Sequence, residues 1–389
     1  MTKIITSDLN QRLEGLDIFR GLCVFGMILV AYAGDWTHRF QVLEHARWYG
    51  WSMADLIFPG FLFCVGASIP FAIDSRMVRQ STGSIAQHIL VRSFLLVALG
   101  VVLNFLASPN IFQFRVPGIL QRIGLCYAAA AGFFLAIRSH QRRTPTALLT
   151  ITTITTLAIL VVYAMLLLLW NTGSCPSACF DSVNALPAVV DRFVFSVRYL
   201  WPWGLTNNTV TYDPEGLVST LGAAANVLIG ISVTLFYRSR SLGDSRNGRL
   251  IWLVLVGVAL IFIGLVLDTW IPLVKKIWTP SFAIFSGGTS LCVFAVLCFV
   301  ADKAASKNWG LLFKIYGANA TLAFVAVSLL DIVLQLPIVG QSTHDRAAAW
   351  LVSALPGARV GSLTYSVVVL LLIGTLLYHA YKRRLFLRL

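Results

Sequence analysis

One short stretch gathers a histidine, a carboxylate and three aromatic rings: His45-Ala46-Arg47-Trp48-Tyr49-Gly50-Trp51-Ser52-Met53-Ala54-Asp55, running on into Leu56-Ile57-Phe58-Pro59. Histidine titrates near neutrality, so His45 is suited to take a proton from an attacking nucleophile and hand it on. Asp55, ten residues later, can fix the tautomer of the ring and steady the imidazolium that forms. Trp48 and Trp51 supply an aromatic floor. The residues alone leave a second reading open, because a lone interfacial histidine is commonly a surface residue, as His38 and His344 are expected to be. Asp55 at a helix N-terminus can likewise serve only the helix dipole.

Other polar groups sort into two clusters. One holds His45 and Asp55 around helix two, Gln121 and Arg122 at the start of helix four, Asn207, Asn208, Asp213 and Glu215 ahead of helix six, and Asp331 near the end of helix nine. Arg122 lies inside an apolar helix, where an unpaired cation is costly, and a carboxylate such as Asp55 or Asp213 is its expected partner. Asp213-Pro214-Glu215 also reads as an ordinary helix start with proline in the first turn. The opposite cluster has Asp17 and Arg20 opening helix one and Asn319 entering helix nine.

The elements that position these groups follow from composition. The chain has 389 residues, 58% of them hydrophobic and 12% charged, with mean hydropathy +0.80. That excludes a soluble globule and predicts an all-α, polytopic membrane bundle. A span needs about 20 largely apolar residues. By that measure ten helices are expected, at 15–33, 53–73, 89–107, 118–137, 147–170, 216–237, 250–267, 282–301, 311–336 and 362–381, the ninth interrupted by Gly317 and Asn319. Residues 1–389 read as one membrane domain whose longest non-membrane segment is 171–215. Two thirds of the 30 lysines and arginines fall on the side of the termini, including Lys3, Arg12, Arg142, Arg143, Arg240, Lys307 and Arg388. That bias places both termini in the cytoplasm and the 171–215 loop outside. The formal net charge of +14 is thereby a topology signal, and no nucleic-acid partner is implied.

Ala31-Tyr32-Ala33 has the form of a signal-peptidase site, but Asp8, Glu14 and Asp17 precede it and the first helix is expected to be retained. Of seven cysteines, five lie in predicted spans as small apolar fillers. Cys175 and Cys179 share the outward loop, where a disulfide would close a short ring of modest effect. No spacing suggests a metal site.

Four segments occur in an order that resembles the heparan-α-glucosaminide N-acetyltransferase family and its bacterial NagX-like relatives. They are Arg12-Leu13-Glu14-Gly15-Leu16-Asp17-Ile18-Phe19-Arg20-Gly21, the stretch from His45 to Pro59, Gly118-Ile119-Leu120-Gln121-Arg122-Ile123-Gly124 and Tyr212-Asp213-Pro214-Glu215-Gly216. Lys276-Ile277-Trp278-Thr279-Pro280-Ser281 and Gly317-Ala318-Asn319 extend the likeness.

The resemblance implies a multi-pass acetyltransferase of the bacterial inner membrane. It would move an acetyl group from cytoplasmic acetyl-CoA to an amino sugar outside, with His45 as general base or transient acetyl carrier. Asp55 and Arg122 would assist catalysis, Asp17, Arg20 and Asn319 would hold the acetyl-CoA, and Trp48, Asn207, Asp213 and Glu215 would bind the acceptor. The partners implied are the lipid bilayer, acetyl-CoA and an amino-sugar or glycan acceptor, with a homodimer as one assembly open to the chain and no metal required. An asparagine that helps the reaction in the family is replaced here by Ala31. Two other functions remain open at this stage: an amino-sugar transporter, and an O-acyltransferase for an exported envelope glycan. No paired inverted repeat with broken helices favours the transporter.

Overall fold

The computed structural model describes residues 14–140, 144–176, 178–239, 245–303, 308–338 and 340–387. Lys3, Arg12, Arg142, Arg143, Arg240, Lys307 and Arg388, which enter the charge bias, lie outside the described residues. The protein is an all-α polytopic membrane protein, with two two-residue β-hairpins as its strands among the described residues. Among the described residues, eight helices are long and apolar enough to cross a membrane, or nine if a pair bent by 80° counts as one span. The first expected span, α1 (Glu14–Ala31), carries Glu14, Asp17 and Arg20 and is not one of the eight.

The chain packs into two compact units, one formed by 1–16, 48–50 and 62–302, the other by 17–47, 51–61 and 303–389. The larger unit takes in most of α2 (Ile57–Met77) and then α3 (Thr82–Ala107), α4 (Ile119–Ser139), α5 (Pro145–Leu169), α6 (Leu186–Phe195), α7 (Thr220–Arg238), α8 (Arg246–Leu267) and α9 (Pro280–Lys303). Helix starts are written locally. Thr144 accepts from the Ala147 amide with Pro145 in the first turn, and Ser245 accepts from Gly248. Because lipid is as apolar as leucine, helices associate here through close backbone approach. A Cβ on Gly66 of α2 would lie 1.9 Å from the Val227 carbonyl oxygen of α7, and one on Gly230 of α7 would lie 2.2 Å from that of Phe63.

The segment between α5 and α7 contributes α6 and the hairpin β1 (Leu205–Thr206) and β2 (Thr209–Val210). Cys175 and Cys179 in it are joined as a disulfide. Tyr163, Leu167, Phe180, Tyr212, Val274 and Ile277 form an apolar core against which Trp48 and Trp201 pack.

The smaller unit contains nearly all of α1, a 3-10 turn at Met53–Leu56, α10 (Leu311–Ala318), α11 (Ala320–Gln335), the hairpin β3 (Pro337–Ile338) and β4 (Gln341–Ser342), α12 (Thr343–Ala354) and α13 (Ala358–Lys382). Gly21 and Gly317 let α1 and α10 touch, since a Cβ on Gly21 would sit 1.7 Å from the Phe313 carbonyl oxygen. The ninth expected span breaks at Asn319, whose amide donates to Leu385 O at 2.8 Å and accepts from Leu387 N at 3.1 Å. Those bonds tie the break to the C-terminal segment. His344, expected at the surface, is buried instead, with Nε2 3.3 Å from Ala33 O and its ring edge-on to Tyr365. It lies in α12, a helix too short to register as a span. His38 is exposed and meets Asp35 at 2.7 Å.

Candidate active site

In the smaller unit, His45 Nδ1 lies 2.8 Å from Asp55 Oδ1. The side chain of His45 is 42% exposed and that of Asp55 only 1%. Local sequence builds this pair. Ser52 and Asp55 form a capping box on the Met53–Leu56 turn, which turns the carboxylate back over the preceding chain. Asp55 Oδ2 then accepts from the amides of Ala46 and Ser52 and from the Ser52 hydroxyl, each at 3.0 Å. A carboxylate so surrounded by donors accepts from the imidazole as well, so Nδ1 carries the ring proton and Nε2 is the basic nitrogen. The arrangement can orient an imidazole, receive a proton at Nε2 and stabilise the resulting cation.

The same unit brings Asp17, Arg20 and Asn319 to one end of α1 and α10. Arg20 Nε donates to Gly317 O at 2.7 Å and Nη2 to Asp17 Oδ1 at 3.0 Å. Asn319 is buried two residues beyond Gly317. Arg20 is thus a cap on the carbonyl end of α10 as well as a surface cation, with its side chain 23% exposed.

The larger unit holds Trp48, Arg122, Asn207, Asp213 and Glu215, while Asp331 belongs to the smaller one. Trp48 donates Nε1–H to Phe180 O at 2.8 Å and meets Tyr212 edge-on at 4.8 Å between centroids. Lys276 Nζ donates to the Tyr212 hydroxyl at 2.9 Å and lies over both rings. Burial, reinforced by Asp213 and Glu215, pushes the Tyr212 phenol up to about 12, which keeps it neutral. Asn207 and Asn208 both take positive φ at the tip of the β1–β2 hairpin, a position that favours asparagine on conformational grounds alone. Asn207 is exposed there.

The expected partners of Arg122 need correction. Its bonds go neither to Asp55 nor to Asp213: Nη2 donates to Gly216 O at 3.0 Å and to the Ser219 hydroxyl, and the guanidinium lies over Trp278. The cation on Asp213 is Arg115, which no motif in the sequence marks. Arg115 Nε donates to Asp213 Oδ2 at 2.9 Å, and Nη2 reaches both Asp213 Oδ1 and Glu215. Burial disfavours the Arg115 charge, but the two carboxylates outweigh it and hold its proton more tightly than usual. Its signal is faint: one basic residue in a loop, 98 positions from its partner. Asp191, inside the apolar run of α6, was also missed. It is fully buried and accepts from Leu217 N at 2.8 Å. Among the described residues, no group of three or more His, Cys, Asp and Glu side chains is arranged to hold a metal.

An all-helical membrane protein with an oriented histidine–carboxylate pair is the class that fold and geometry define. No family model matches the chain. It is similar to heparan-alpha-glucosaminide N-acetyltransferase of Homo sapiens, 26% identical over 362 residues, which cover 84% of this chain and 54% of that protein. It is also similar to the Mus musculus protein of the same name, 25% identical over 359 residues covering 82% and 54%. This is the family that the ordered motifs resemble, and the likeness runs along most of the chain. The chain spans about half the length of these curated relatives.

Proposed function

We propose that this protein is a membrane N-acetyltransferase that takes an acetyl group from acetyl-CoA at the cytoplasmic face and delivers it to the amine of a glucosamine-type sugar on the outer face of the bacterial inner membrane. The single observation that carries the reading is the His45–Asp55 pair, a half-exposed base backed by a buried, donor-saturated carboxylate. The likeness to curated acetyltransferases supplies the reaction class.

An amine attacks a thioester only when unprotonated. In the proposed reaction the sugar nitrogen attacks the acetyl carbonyl carbon, the C–N bond forms and the C–S bond breaks. His45 Nε2 receives the amine proton, and Asp55 stabilises the imidazolium across Nδ1. The departing CoA thiolate takes that proton, leaving the N-acetyl sugar and free CoA thiol. Acetyl-CoA acts as substrate throughout. Arg20, partly exposed beside Asp17 and Gly317, offers a charge-assisted contact for its phosphates, and Asn319 fixes the chain break next to it. Trp48 and Tyr212 with Lys276 supply the aromatic and cationic surface for the acceptor. Asp213 and Glu215, engaged by Arg115, shape that surface, and Arg122 does so through Gly216.

Purified protein given acetyl-CoA and glucosamine tests the reading by release of free thiol and formation of N-acetylglucosamine. Wild type should produce both in equal amounts, and His45→Ala should lose both. Equal activity in the two proteins would overturn the assignment of His45. Uptake of N-acetylglucosamine into proteoliposomes without acetyl-CoA would overturn the enzyme reading in favour of a carrier.

A further inference from the structure

The Gly216–Leu217 peptide in the larger unit is held at both poles by buried charged side chains. Arg122 Nη2 donates to its carbonyl oxygen at 3.0 Å, while Asp191 Oδ1 accepts its amide hydrogen at 2.8 Å. Arg122 is 1% exposed and Asp191 0%. Neither is fully satisfied: Arg122 Nε and Nη1 and Asp191 Oδ2 are buried without a hydrogen-bond partner. Gly216 is required for the grip, because a Cβ there would fall 1.7 Å from Asp191 Oδ2. The clamped peptide ends the Tyr212–Gly216 segment, which carries Tyr212 against Trp48 and Lys276.

We propose that Asp191 is a pH-dependent positioning residue: as the neutral acid it holds the Gly216–Leu217 peptide, and as it ionises the peptide and the Tyr212–Gly216 segment work loose. An ionised Oδ2 with no donor is the physical reason, since a buried carboxylate lacking partners destabilises the closed arrangement. The groups facing Asp191 are Arg122 from α4, Arg192 from its own helix, Asp213 from the clamped segment and Tyr163 from α5. Burial chiefly, with Asp213 adding to it, pushes the Asp191 carboxyl up to about 7, against the pull of the Leu217 amide and the two arginines. The closed form therefore binds the proton more tightly than an open, hydrated form. By linkage, opening becomes more frequent as pH rises from the ordinary carboxylate range to about 7, then levels off.

Hydrogen exchange of peptides covering 212–220 tests this directly, because the Leu217 amide is itself the clamped donor. After correction for intrinsic chemical exchange, the opening constant in wild type should rise about tenfold between about pH 6 and about pH 8. Asp191→Asn, which keeps an oxygen acceptor but cannot ionise, should be flat over that range, and His45→Gln should keep the step. A flat wild type, or a step that persists in Asp191→Asn, would overturn the proposal. If Asp191→Asn does not fold, Asp191→Glu decides: a longer carboxyl must move the midpoint, and an unmoved midpoint assigns the step to another group. The consequence for the acceptor rests on the acetyltransferase reading: KM expressed for unprotonated glucosamine should rise over the same window in wild type and not in Asp191→Asn. The exchange measurement needs no turnover, so failure of that reading leaves it intact.

Discussion

Arg115→Met removes one cation from the larger unit and leaves the aliphatic stem in place. Asp213, whose side chain is 0% exposed, then keeps the amides of Trp201 and Glu215 as donors, each at 2.9 Å, but loses the guanidinium that met both its oxygens. Glu215 loses the same partner and becomes an uncompensated like charge two residues away. Breaking a buried pair on one side costs about 3–5 kcal/mol, and the two surviving amide bonds put this case near the lower end. Removing the charge on both sides should recover more than half of the loss, because a buried pair is worth little against a neutral replacement, while Asp213→Asn keeps an acceptor for only one of the two amides. The assay is a double-mutant cycle of Arg115→Met and Asp213→Asn, read by thermal unfolding in detergent and by protease cleavage within 171–215. Arg115→Met should unfold and be cut well below wild type, and the double variant should regain more than half of the difference. A single variant within about 0.5 kcal/mol of wild type, or a double variant no better than the single, would refute the claim that Asp213 depends on Arg115.

His45→Gln should lower acetyl transfer by about 10²–10⁴ with little effect on unfolding temperature, the range expected for removal of a general base. Asp55→Asn should lower kcat comparably, because an amide that donates to Nδ1 leaves the proton on the wrong nitrogen; unchanged kcat would refute the tautomer argument. Gly66→Leu should abolish stable expression, since even a Cβ would stand 1.9 Å from the Val227 carbonyl oxygen, and a well-folded variant would contradict the close α2–α7 crossing. Replacing Cys175 and Cys179 with serine should cost about 2 kcal/mol at most, because the closed ring is very short, and a larger loss in melting experiments would show that the bridge does more than limit the unfolded loop.

The spans were legible because each buries its backbone bonds within one apolar run, so length and hydropathy suffice to find it. The His45–Asp55 pair was legible for a related reason. Its geometry is local, set by a Ser52-Met53-Ala54-Asp55 capping box that brings the carboxylate back over ten residues of chain. Long-range choices left no such trace. Asn319 looks like an interruption in an apolar segment, and only the structure shows its side chain bonded to Leu385 and Leu387. His344 reads as a loop residue until α12 packs it beside Tyr365. The inventory of charges was visible, but Arg122 and Arg115 compete for Asp213 across about a hundred residues, and hydropathy says nothing about which arginine prevails.

The outcome has a physical logic that also identifies where function is most expensive. Burying an arginine with a carboxylate desolvates two charges, whereas a carbonyl oxygen offers a partial negative charge with one fewer ion to strip of water. Arg122, fully buried, takes Gly216 O, whereas Arg20, partly exposed on the other unit, takes Gly317 O and meets Asp17 as well. Asp74 meets Arg138 and Arg238 in an ion-pair cluster where both arginines retain exposure of 36% and 22%. Arg115 with Asp213 departs from this pattern, a bidentate pair built on a carboxylate with no solvent access. The segment that this desolvated cluster holds carries Tyr212. The destabilisation of Arg115→Met and its rescue by Asp213→Asn therefore test more than one ion pair: a rescued fold that still fails to bind the acceptor would assign the charge itself to substrate recognition.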